Sequence, residues 1–326
     1  HCQCRRQRQM CIRDRMKIAF AGTPEIAATI LQSIIDKKDH QVVCVITSVD
    51  KPSGRGRKLK PSPVKKIALE NNLTLMQPDS PKSEEFINEF KNYQCDVLLV
   101  VAYGHILTEE LLETPQYGSV NIHASLLPKY RGAAPIQRAI LNGDKKSGLT
   151  FMKMTKGLDS GPMSKRFEIK IEKDDTTADL TSKMASIAAK EVNKFCSDWP
   201  NLIDSLEEQN ETDASYCPKI TRNDAVIKWS DEAKKISKTI NAMYPNPIIS
   251  IDINGVGINL CKSKVNKKLI GDPGEIIEFN KNILAIGCGD FAVEITELCR
   301  TGKNKLSIKD FYNGAQKLLK EGDIIS

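Results

Sequence analysis

Two polar side chains near the end of one apolar segment are the strongest candidates for chemistry. Asn121 and His123 lie two residues apart in the apolar run 119–125. A strand over that run would place both side chains on one face, near its carboxyl end. An amide donor beside an imidazole can stabilise a developing oxyanion and carry a proton. On its own, however, an Asn-x-His pair in a strand is more often structural.

A carboxylate flanked by glycines supplies a third candidate. Asp159 lies between Gly157 and Gly161, after a predicted strand over 149–154. Glycine lets a loop approach a ligand closely, and a carboxylate beside His123 would fix the tautomer of the imidazole. Because Gly-x-Asp-x-Gly is also a common turn, only the three groups together favour a catalytic site.

A strongly cationic loop lies elsewhere in the chain. Residues 51–66 carry a formal charge of +7, and Arg55 lies between two glycines at the tip, near Arg57, Lys58 and Lys60. This density of cations suits phosphate contacts and indicates a polyanionic partner. The alternative is a solvated surface loop, which is the commoner role of charge runs. No aromatic residue interleaves, so base stacking by this loop is not expected.

The elements that must hold these residues follow from apolar periodicity. Residues 17–22 form a short apolar strand, Thr23 offers a hydroxyl cap, and Pro24 occupies the first position of a predicted helix. Further apolar strands alternate with helical segments, at 41–48, 97–103 and 119–125. This alternation predicts an α/β domain with a Rossmann-like, mostly parallel sheet and helices on both faces. The first turn has one glycine where a dinucleotide fingerprint needs three, which excludes NAD or FAD.

The pattern changes in the last third of the chain. Short β-rich stretches separated by turns, with Ser307 capping a final helix, predict a small OB-like β-barrel. We therefore expect a catalytic domain over residues 16–202, a polar and acidic linker over 203–220, and a C-terminal barrel over 221–326.

The N-terminal segment has no pattern that would pack against a core. Residues 1–15 hold five arginines and three of the ten cysteines, without the apolar core of a secretory signal. We expect a non-native or disordered head read through from upstream sequence, with Met16 as the true start; an organellar transit peptide is the alternative. The other seven cysteines are scattered, which argues for a reducing compartment and against disulfides or structural zinc.

Length and composition fit a two-domain globular protein. The chain has 326 residues, 40% hydrophobic and 27% charged. No apolar run approaches the roughly 18 residues that span a bilayer, so no membrane partner is expected.

Taken together, these motifs resemble the methionyl-tRNA formyltransferase family. The resemblance runs from Met16 to the final helix. In the first domain it includes IAFAGTPEIA at 18–27, PSGRGRKLKPSPVK at 52–65, VVAYGHIL at 100–107, VNIHASLLPKYRGAAPIQRAI at 120–140 and GLDSG at 157–161, and in the second IKWS at 227–230, YPNP at 244–247 and PGEIIE at 273–278. NIHASLLP and GLDSG mark folate formyltransferases in general, whereas the basic loop, RGAAPIQ and the barrel are specific to the tRNA enzymes. Many relatives have glycine where Ala124 stands and tryptophan where Asn246 stands.

The resemblance implies transfer of the formyl group of 10-formyltetrahydrofolate to the α-amino group of methionyl-initiator tRNA, for translation initiation. The family's catalytic residues correspond to Asn121, His123 and Asp159. Its folate-binding segment corresponds to Ser125, Leu126, Leu127 and Pro128, and its tRNA-binding loop to Arg55, Arg57, Lys58 and Lys60. No metal is required, and we expect a monomer in the bacterial cytoplasm rather than an organellar matrix.

Two other functions share part of this pattern. A sugar-nucleotide formyltransferase, using the same folate donor, would keep the three catalytic residues but has no evident use for loop 51–66. A catalytically silent tRNA-binding protein would keep the loop without needing Asn121, His123 and Asp159 together. The presence of both features favours the tRNA enzyme.

Replacing the arginine at the loop tip tests the predicted tRNA contact. Arg55→Ala should weaken the use of acceptor tRNA while sparing any formyl transfer or hydrolysis that needs only folate. For every phosphate that the loop no longer binds, the slope of log affinity against log salt should fall by about 0.7–0.9. Acceptor kinetics and tRNA binding over a salt series measure this, with Leu59→Ala as the uncharged control. An unchanged slope with unchanged kinetics would leave Arg55 as part of a solvated loop.

Overall fold

The structure, a computed structural model, describes residues 15–53, 58–253, 255–315 and 318–325. Of the predicted head at 1–15, only Arg15 is among these residues. Arg55 and Arg57 of the basic loop lie outside them. The chain forms two compact units. The first contains the chain up to Gly132 with Gly148–Ile169 and Ser182–Tyr216, and the second contains Ala133–Ser147, Lys170–Thr181 and the chain from Cys217 onward. The boundaries expected at 202 and 220 stay a prediction.

The elements are numbered here in chain order. The strands are β1 (Lys17–Gly22), β2 (Gln41–Ile46), β3 (Lys51–Ser53), β4 (Lys58–Lys60), β5 (Leu75–Met76), β6 (Val97–Val101), β7 (Ser119–His123), β8 (Arg131–Gly132), β9 (Lys146–Lys153), β10 (Met163–Lys170), β11 (Tyr216–Cys217), β12 (Ile249–Ile253), β13 (Val256–Asn266), β14 (Ile276–Phe279), β15 (Leu284–Gly287), β16 (Ala292–Arg300) and β17 (Leu306–Ser307). The α-helices are α1 (Glu25–Lys37), α2 (Pro63–Glu70), α3 (Glu84–Lys91), α4 (Glu109–Glu113), α5 (Pro135–Asn142), α6 (Thr177–Leu202), α7 (Ala233–Met243) and α8 (Ile308–Ala315). Short 3-10 turns cover Ile203–Ser205, Glu211–Asp213 and Arg222–Ala225.

The first unit is built around a seven-stranded sheet in the order β10-β9-β7-β6-β1-β2-β5. Five neighbouring strands run parallel to one another, namely β5, β2, β1, β6 and β7, whereas β9 is antiparallel to β7. All five residues of β6 and of β7 are buried, as expected for strands covered on both faces. This arrangement confirms the predicted mostly parallel sheet.

The strand order determines where a ligand can bind. From the central β1 the chain first moves outward through β2 and β5, and it then returns to the other side of β1 through β6 and β7. At such a reversal the loops leave the sheet in opposite directions, which opens a crevice at the carboxyl ends of the strands. Asn121 and His123 lie in the last three residues of β7, at this edge.

The start of α1 differs from the prediction. The helix begins at Glu25 with Pro24 at the N-cap position, and no side chain caps it. Thr23 is not the cap because its hydroxyl donates to the carbonyl oxygen of Tyr103 at 3.1 Å and lies 3.1 Å from the Ser48 hydroxyl. Thr23 therefore connects strand ends across the sheet edge, a contact that no local sequence signal reveals.

Helix α6 packs its aromatic side chains against β9. The ring centroids of Phe195 and Phe151 are 4.5 Å apart, and those of Phe195 and Trp199 are 5.3 Å apart. Trp199 is fully buried and donates its indole N–H to the carbonyl oxygen of Tyr117 at 3.1 Å. This aromatic cluster holds the long helix to the antiparallel side of the sheet.

The second unit contains an antiparallel sheet in the order β12-β13-β16-β15-β14, with β17 paired to β16. Helix α7 packs on β13. The predicted cap of the final helix is confirmed, because the backbone N–H of Asp310 donates to the Ser307 hydroxyl at 3.2 Å. These features agree with the predicted small barrel-like domain. In the described part of the chain, no helix combines the length and apolarity needed to cross a bilayer.

Truncating the indole tests the role of the aromatic cluster in stability. Trp199→Ala removes a fully buried side chain and its hydrogen bond, so we expect a loss of about 3–5 kcal/mol in the free energy of unfolding. Leu69→Ala, at a side chain that is 56% exposed, should stay within about 0.5 kcal/mol of the parent. Chemical denaturation measures both; equal midpoints would show that the cluster does not anchor α6.

Candidate active site

The three predicted catalytic side chains meet in the structure. The amide nitrogen of Asn121 donates to Oδ1 of Asp159 at 3.3 Å, across 38 positions of sequence. Nδ1 of His123 lies 3.6 Å from Oδ2 of the same carboxylate. Asn121 and His123 are 9% and 6% exposed, so these contacts form where water screens them little. The structure therefore brings together the groups that the sequence singled out.

Asp159 is held in a backbone conformation that few residues adopt. Its φ of 48° lies in the left-handed region, which costs a non-glycine residue roughly 1–2 kcal/mol. Its carboxylate also accepts a hydrogen bond from the backbone N–H of Gly132 at 2.8 Å. Two donors from two different segments thus orient the carboxylate, and the surrounding contacts must offset the strain.

The hydrogen bonds of His123 assign the roles of its two ring nitrogens. Nε2 lies 2.8 Å from the carbonyl oxygen of Tyr130. A carbonyl oxygen only accepts, so Nε2 carries a proton, and Nδ1 is the ring nitrogen left to gain or lose one. Nδ1 faces the Asp159 carboxylate, whose oxygens can only accept hydrogen bonds when the group is ionised.

The glycines of segment 157–161 have a packing role in the structure. A Cβ on Gly161 would lie 1.9 Å from the carbonyl oxygen of Lys153, and one on Gly157 would lie 2.1 Å from the Ser160 hydroxyl. Both distances are far shorter than van der Waals contact. The absence of a side chain on Gly161 therefore lets the Asp159 loop approach the backbone of β9 at Lys153, whereas the close contact of Gly157 is with Ser160 of the same loop.

The predicted folate segment divides into supporting and accessible residues. The Ser125 hydroxyl is buried and donates to a backbone carbonyl of the same turn at 2.6 Å. Leu127 is 1% exposed and lies in a small apolar cluster. Leu126 and Pro128, in contrast, are partly exposed. Folate binding by this segment stays a prediction, with Leu126 and Pro128 best placed for contact.

The described part of the basic loop forms a ribbon. Strand β3 pairs antiparallel with β4, and Lys51 and Lys60 are exposed. At its base, Lys65 forms an ion pair of 2.8 Å with Asp50. The hydrogen bond from Lys65, followed by that from Gln77, lowers the pKa of the Asp50 carboxyl. The side chain of Lys58 lies outside the described residues.

A buried charged residue that no local sequence pattern revealed lies next to the backbone partners of the catalytic groups. Arg131 is 1% exposed, and its guanidinium donates to Gln209 Oε1 at 2.9 Å and to the two carboxylate oxygens of Glu211 at 3.0 and 2.8 Å. The hydrogen bonds to Glu211 raise the pKa of the guanidinium, and the bonds from Arg131 lower the pKa of the Glu211 carboxyl. The only sequence signals were an arginine inside RGAAPIQ and a glutamine and a glutamate in a segment whose polarity suggested a linker.

Among the described residues, no group of three or more histidine, cysteine, aspartate and glutamate side chains is placed to hold a metal ion. The seven cysteines of this part of the chain are free and buried.

Two family models match the chain. The model "Formyl transferase" matches residues 16–194, and "Formyl transferase, C-terminal domain" matches residues 219–316.

Curated relatives match the chain along most of its length. The methionyl-tRNA formyltransferase of Pseudoalteromonas translucida is 38% identical over 313 residues, which cover 95% of this chain and 97% of that protein. The methionyl-tRNA formyltransferase of Methylococcus capsulatus is 40% identical over 302 residues, which cover 91% of this chain and 96% of the relative.

Solved structures share the fold at lower identity. HypX from Aquifex aeolicus in complex with tetrahydrofolic acid has a TM-score of 0.63 and 17% identity, covering 96% of this chain and 51% of that one. WlaRD, a sugar 3N-formyl transferase crystallised with dTDP and 5-N-formyl-THF, has a TM-score of 0.60 and 24% identity, covering 89% of this chain and 99% of that one. At these identities the likeness shows the fold alone.

A single methyl group tests how closely the Asp159 loop must approach β9. Gly161→Ala places a Cβ 1.9 Å from a backbone oxygen, so the loop must move and we expect a loss of about 1–3 kcal/mol in the free energy of unfolding. Gly314→Ala, with nothing within 4 Å of the added Cβ, is the matched control and should be neutral or slightly stabilising. Thermal melts of both variants measure this; equal transitions would show that the loop tolerates displacement.

Proposed function

The chain belongs to the methionyl-tRNA formyltransferase family, and we propose that Asn121, His123 and Asp159 are its catalytic residues. The enzyme transfers a formyl group from a folate-derived donor to the amino group of methionyl-tRNA. The assignment is supported by the position of the Asp159 carboxylate, whose oxygens lie 3.3 Å from the amide nitrogen of Asn121 and 3.6 Å from Nδ1 of His123.

The transfer needs an oxyanion stabilised and a proton moved. The neutral amine forms a bond to the formyl carbon, whose oxygen gains negative charge. When the bond between that carbon and the folate nitrogen breaks, the amine proton passes to the nitrogen that leaves. No covalent bond to the protein is needed, so the contribution of the protein is positioning, charge stabilisation and proton transfer.

Each catalytic residue has a group suited to one of these tasks. The amide of Asn121 uses one N–H on Asp159 and keeps the second for the developing oxyanion. The imidazole of His123 helps carry the amine proton to the folate nitrogen. Asp159 stabilises the imidazolium formed during this transfer.

The finer identity of the substrates belongs to the same proposal. We infer that the donor is 10-formyltetrahydrofolate, held against Leu126 and Pro128, that no metal takes part, and that the acceptor is initiator tRNA. The charge of +7 in loop 51–66 supports contact of Lys60 and its cationic neighbours with acceptor-stem phosphates. Such an enzyme acts where initiator tRNA is charged, which supports a bacterial cytoplasmic location.

A direct assay separates the tRNA enzyme from its nearest rival. The full chain is incubated with 10-formyltetrahydrofolate and either methionyl-initiator tRNA, methionyl-elongator tRNA or a nucleotide-linked amino sugar. We expect formylmethionine from the initiator tRNA at the highest rate. Formylation of the amino sugar in preference to either tRNA would overturn the proposed acceptor.

Alanine substitution tests the three catalytic residues. Asn121→Ala, His123→Ala and Asp159→Ala should each lower kcat by at least about 100-fold, with tRNA affinity nearly unchanged. His40→Ala is the control, because among the described residues the ring of this buried histidine contacts α6, through the carbonyl oxygen of Asn193 at 2.9 Å and the Ser197 hydroxyl at 3.4 Å. Turnover is measured on folded protein at saturating substrate. A catalytic variant with near wild-type kcat would lose its assigned role.

A further inference from the structure

A buried arginine lies between the two backbone groups that touch the catalytic side chains. The carbonyl oxygen of Tyr130 accepts from His123 at 2.8 Å, and the N–H of Gly132 donates to Asp159 at 2.8 Å. Arg131, the residue between them, is 1% exposed. Whatever fixes Arg131 therefore fixes the partners of both His123 and Asp159.

Gln209 connects this arginine to the Asp159 loop. Its Oε1 accepts from Arg131 Nε at 2.9 Å, while its amide nitrogen donates to the carbonyl oxygens of Asp159 at 2.8 Å and Gly161 at 2.7 Å. The side chain uses both of its donors and one acceptor position, and the residue is 8% exposed. One glutamine thus joins the two segments that carry the partners of the catalytic residues.

The segment around Gln209 binds the arginine from a second direction. Glu211 accepts two hydrogen bonds from the guanidinium, at 3.0 and 2.8 Å, and this planar bidentate pairing fixes its orientation. The backbone N–H of Arg131 donates to the carbonyl oxygen of Ser215 at 2.8 Å, and that of Tyr130 donates to the Ser215 hydroxyl at 2.9 Å. The backbone and the side chain of Arg131 are therefore both fixed by residues 209–215.

We propose that Gln209 is a positioning residue for the transfer, and that it acts together with Arg131 and Glu211. This set of three residues is called the clamp below. The clamp keeps the Asp159 carboxylate at hydrogen-bond distance from Asn121 and beside His123, although none of its members touches a reacting atom. This inference rests on the proposed function, since it assigns to the clamp an effect on a catalytic Asp159.

The strain at Asp159 explains why the loop needs such support. A residue with φ of 48° tends to relax to a commoner conformation unless its surroundings hold it. The two bonds from Gln209 are made to the carbonyl oxygen of Asp159 itself and to that of Gly161, two residues later. Removing these donors leaves two carbonyl groups without their bonds and frees the loop to move. A displacement of about 1 Å in a catalytic group is enough to lower a rate by up to about 100-fold.

An isosteric substitution tests the donors alone. Gln209→Glu keeps the size of the side chain and its acceptor for Arg131, but a carboxylate cannot donate to the two carbonyl oxygens. We expect kcat to fall by about 10- to 100-fold, with tRNA affinity within about 2-fold of the parent.

The matched control makes the same chemical change away from the site. Asn193 is a buried amide that donates to the backbone carbonyl of Ser33 at 3.1 Å. Asn193→Asp should lower the thermal transition and leave kcat of the folded enzyme unchanged. An equal fall in kcat for both variants would show that Gln209 has only a general stabilising role, and would overturn the proposal.

A double-mutant cycle shows whether Gln209 acts through Asp159. In the Asp159→Ala background, where no carboxylate remains to be positioned, Gln209→Glu should cost less than about 2-fold further in single-turnover rate. The same loss in both backgrounds, or no loss in the parent, overturns the positioning role. If Asp159→Ala itself keeps near wild-type turnover, the catalytic assignment of Asp159 fails instead, so the two failures are distinguishable.

A second variant keeps the test valid if Gln209→Glu does not fold. The side chain of Glu211 is 70% exposed, so Glu211→Gln places an amide of similar shape at the surface while removing the charge that pairs with Arg131, and turnover is compared on folded protein. We expect a fall of about 3- to 10-fold in kcat that disappears in the Asp159→Ala background. A kcat equal to that of the parent, or an equal loss in both backgrounds, would contradict the clamp.

Discussion

The carboxylate of Asp159 is the group on which the proposed chemistry depends. It accepts from Asn121 on β7 and from the backbone of Gly132, and it faces Nδ1 of His123. A carboxylate can serve three partners because its two oxygens offer several lone pairs in one plane. The same geometry brings a strand end, a turn and a glycine-flanked loop to one place. The fold must therefore fix each of these segments separately.

Different parts of the structure fix these three segments. Strand β7 is wholly buried, and the alternation of side chains along an extended strand points Asn121 and His123 to one face. Gly161 lets the Asp159 loop lie against the backbone of Lys153. The clamp then joins that loop to the turn that contains Tyr130 and Gly132. A charged residue that is 1% exposed is tolerated there because all the hydrogen-bonding nitrogens of its side chain have partners.

The family membership gives these contacts their chemical meaning. Formyl transfer to an amine needs no covalent bond to the enzyme, so its rate depends on donors and proton carriers held in fixed positions. In the proposed function the cationic loop 51–66 has a different role, because a charge of +7 would attract a polyanion without taking part in the transfer. The proposal therefore assigns recognition of the acceptor and the chemistry to separate segments of the chain.

The sequence by itself determined the class of fold, the family, and the catalytic candidates Asn121, His123 and Asp159. Strand periodicity and glycine spacing are local features, so they can be recognised in short stretches of the sequence. The start of α1 and the partners of Arg131 were missed because they depend on contacts with remote residues. Gln209 was predicted to lie in a linker, because a polar side chain is as compatible with solvent exposure as with a buried hydrogen-bonded position. Only the tertiary structure shows that it is buried, since burial and hydrogen-bond partners are decided by which segments the fold brings together.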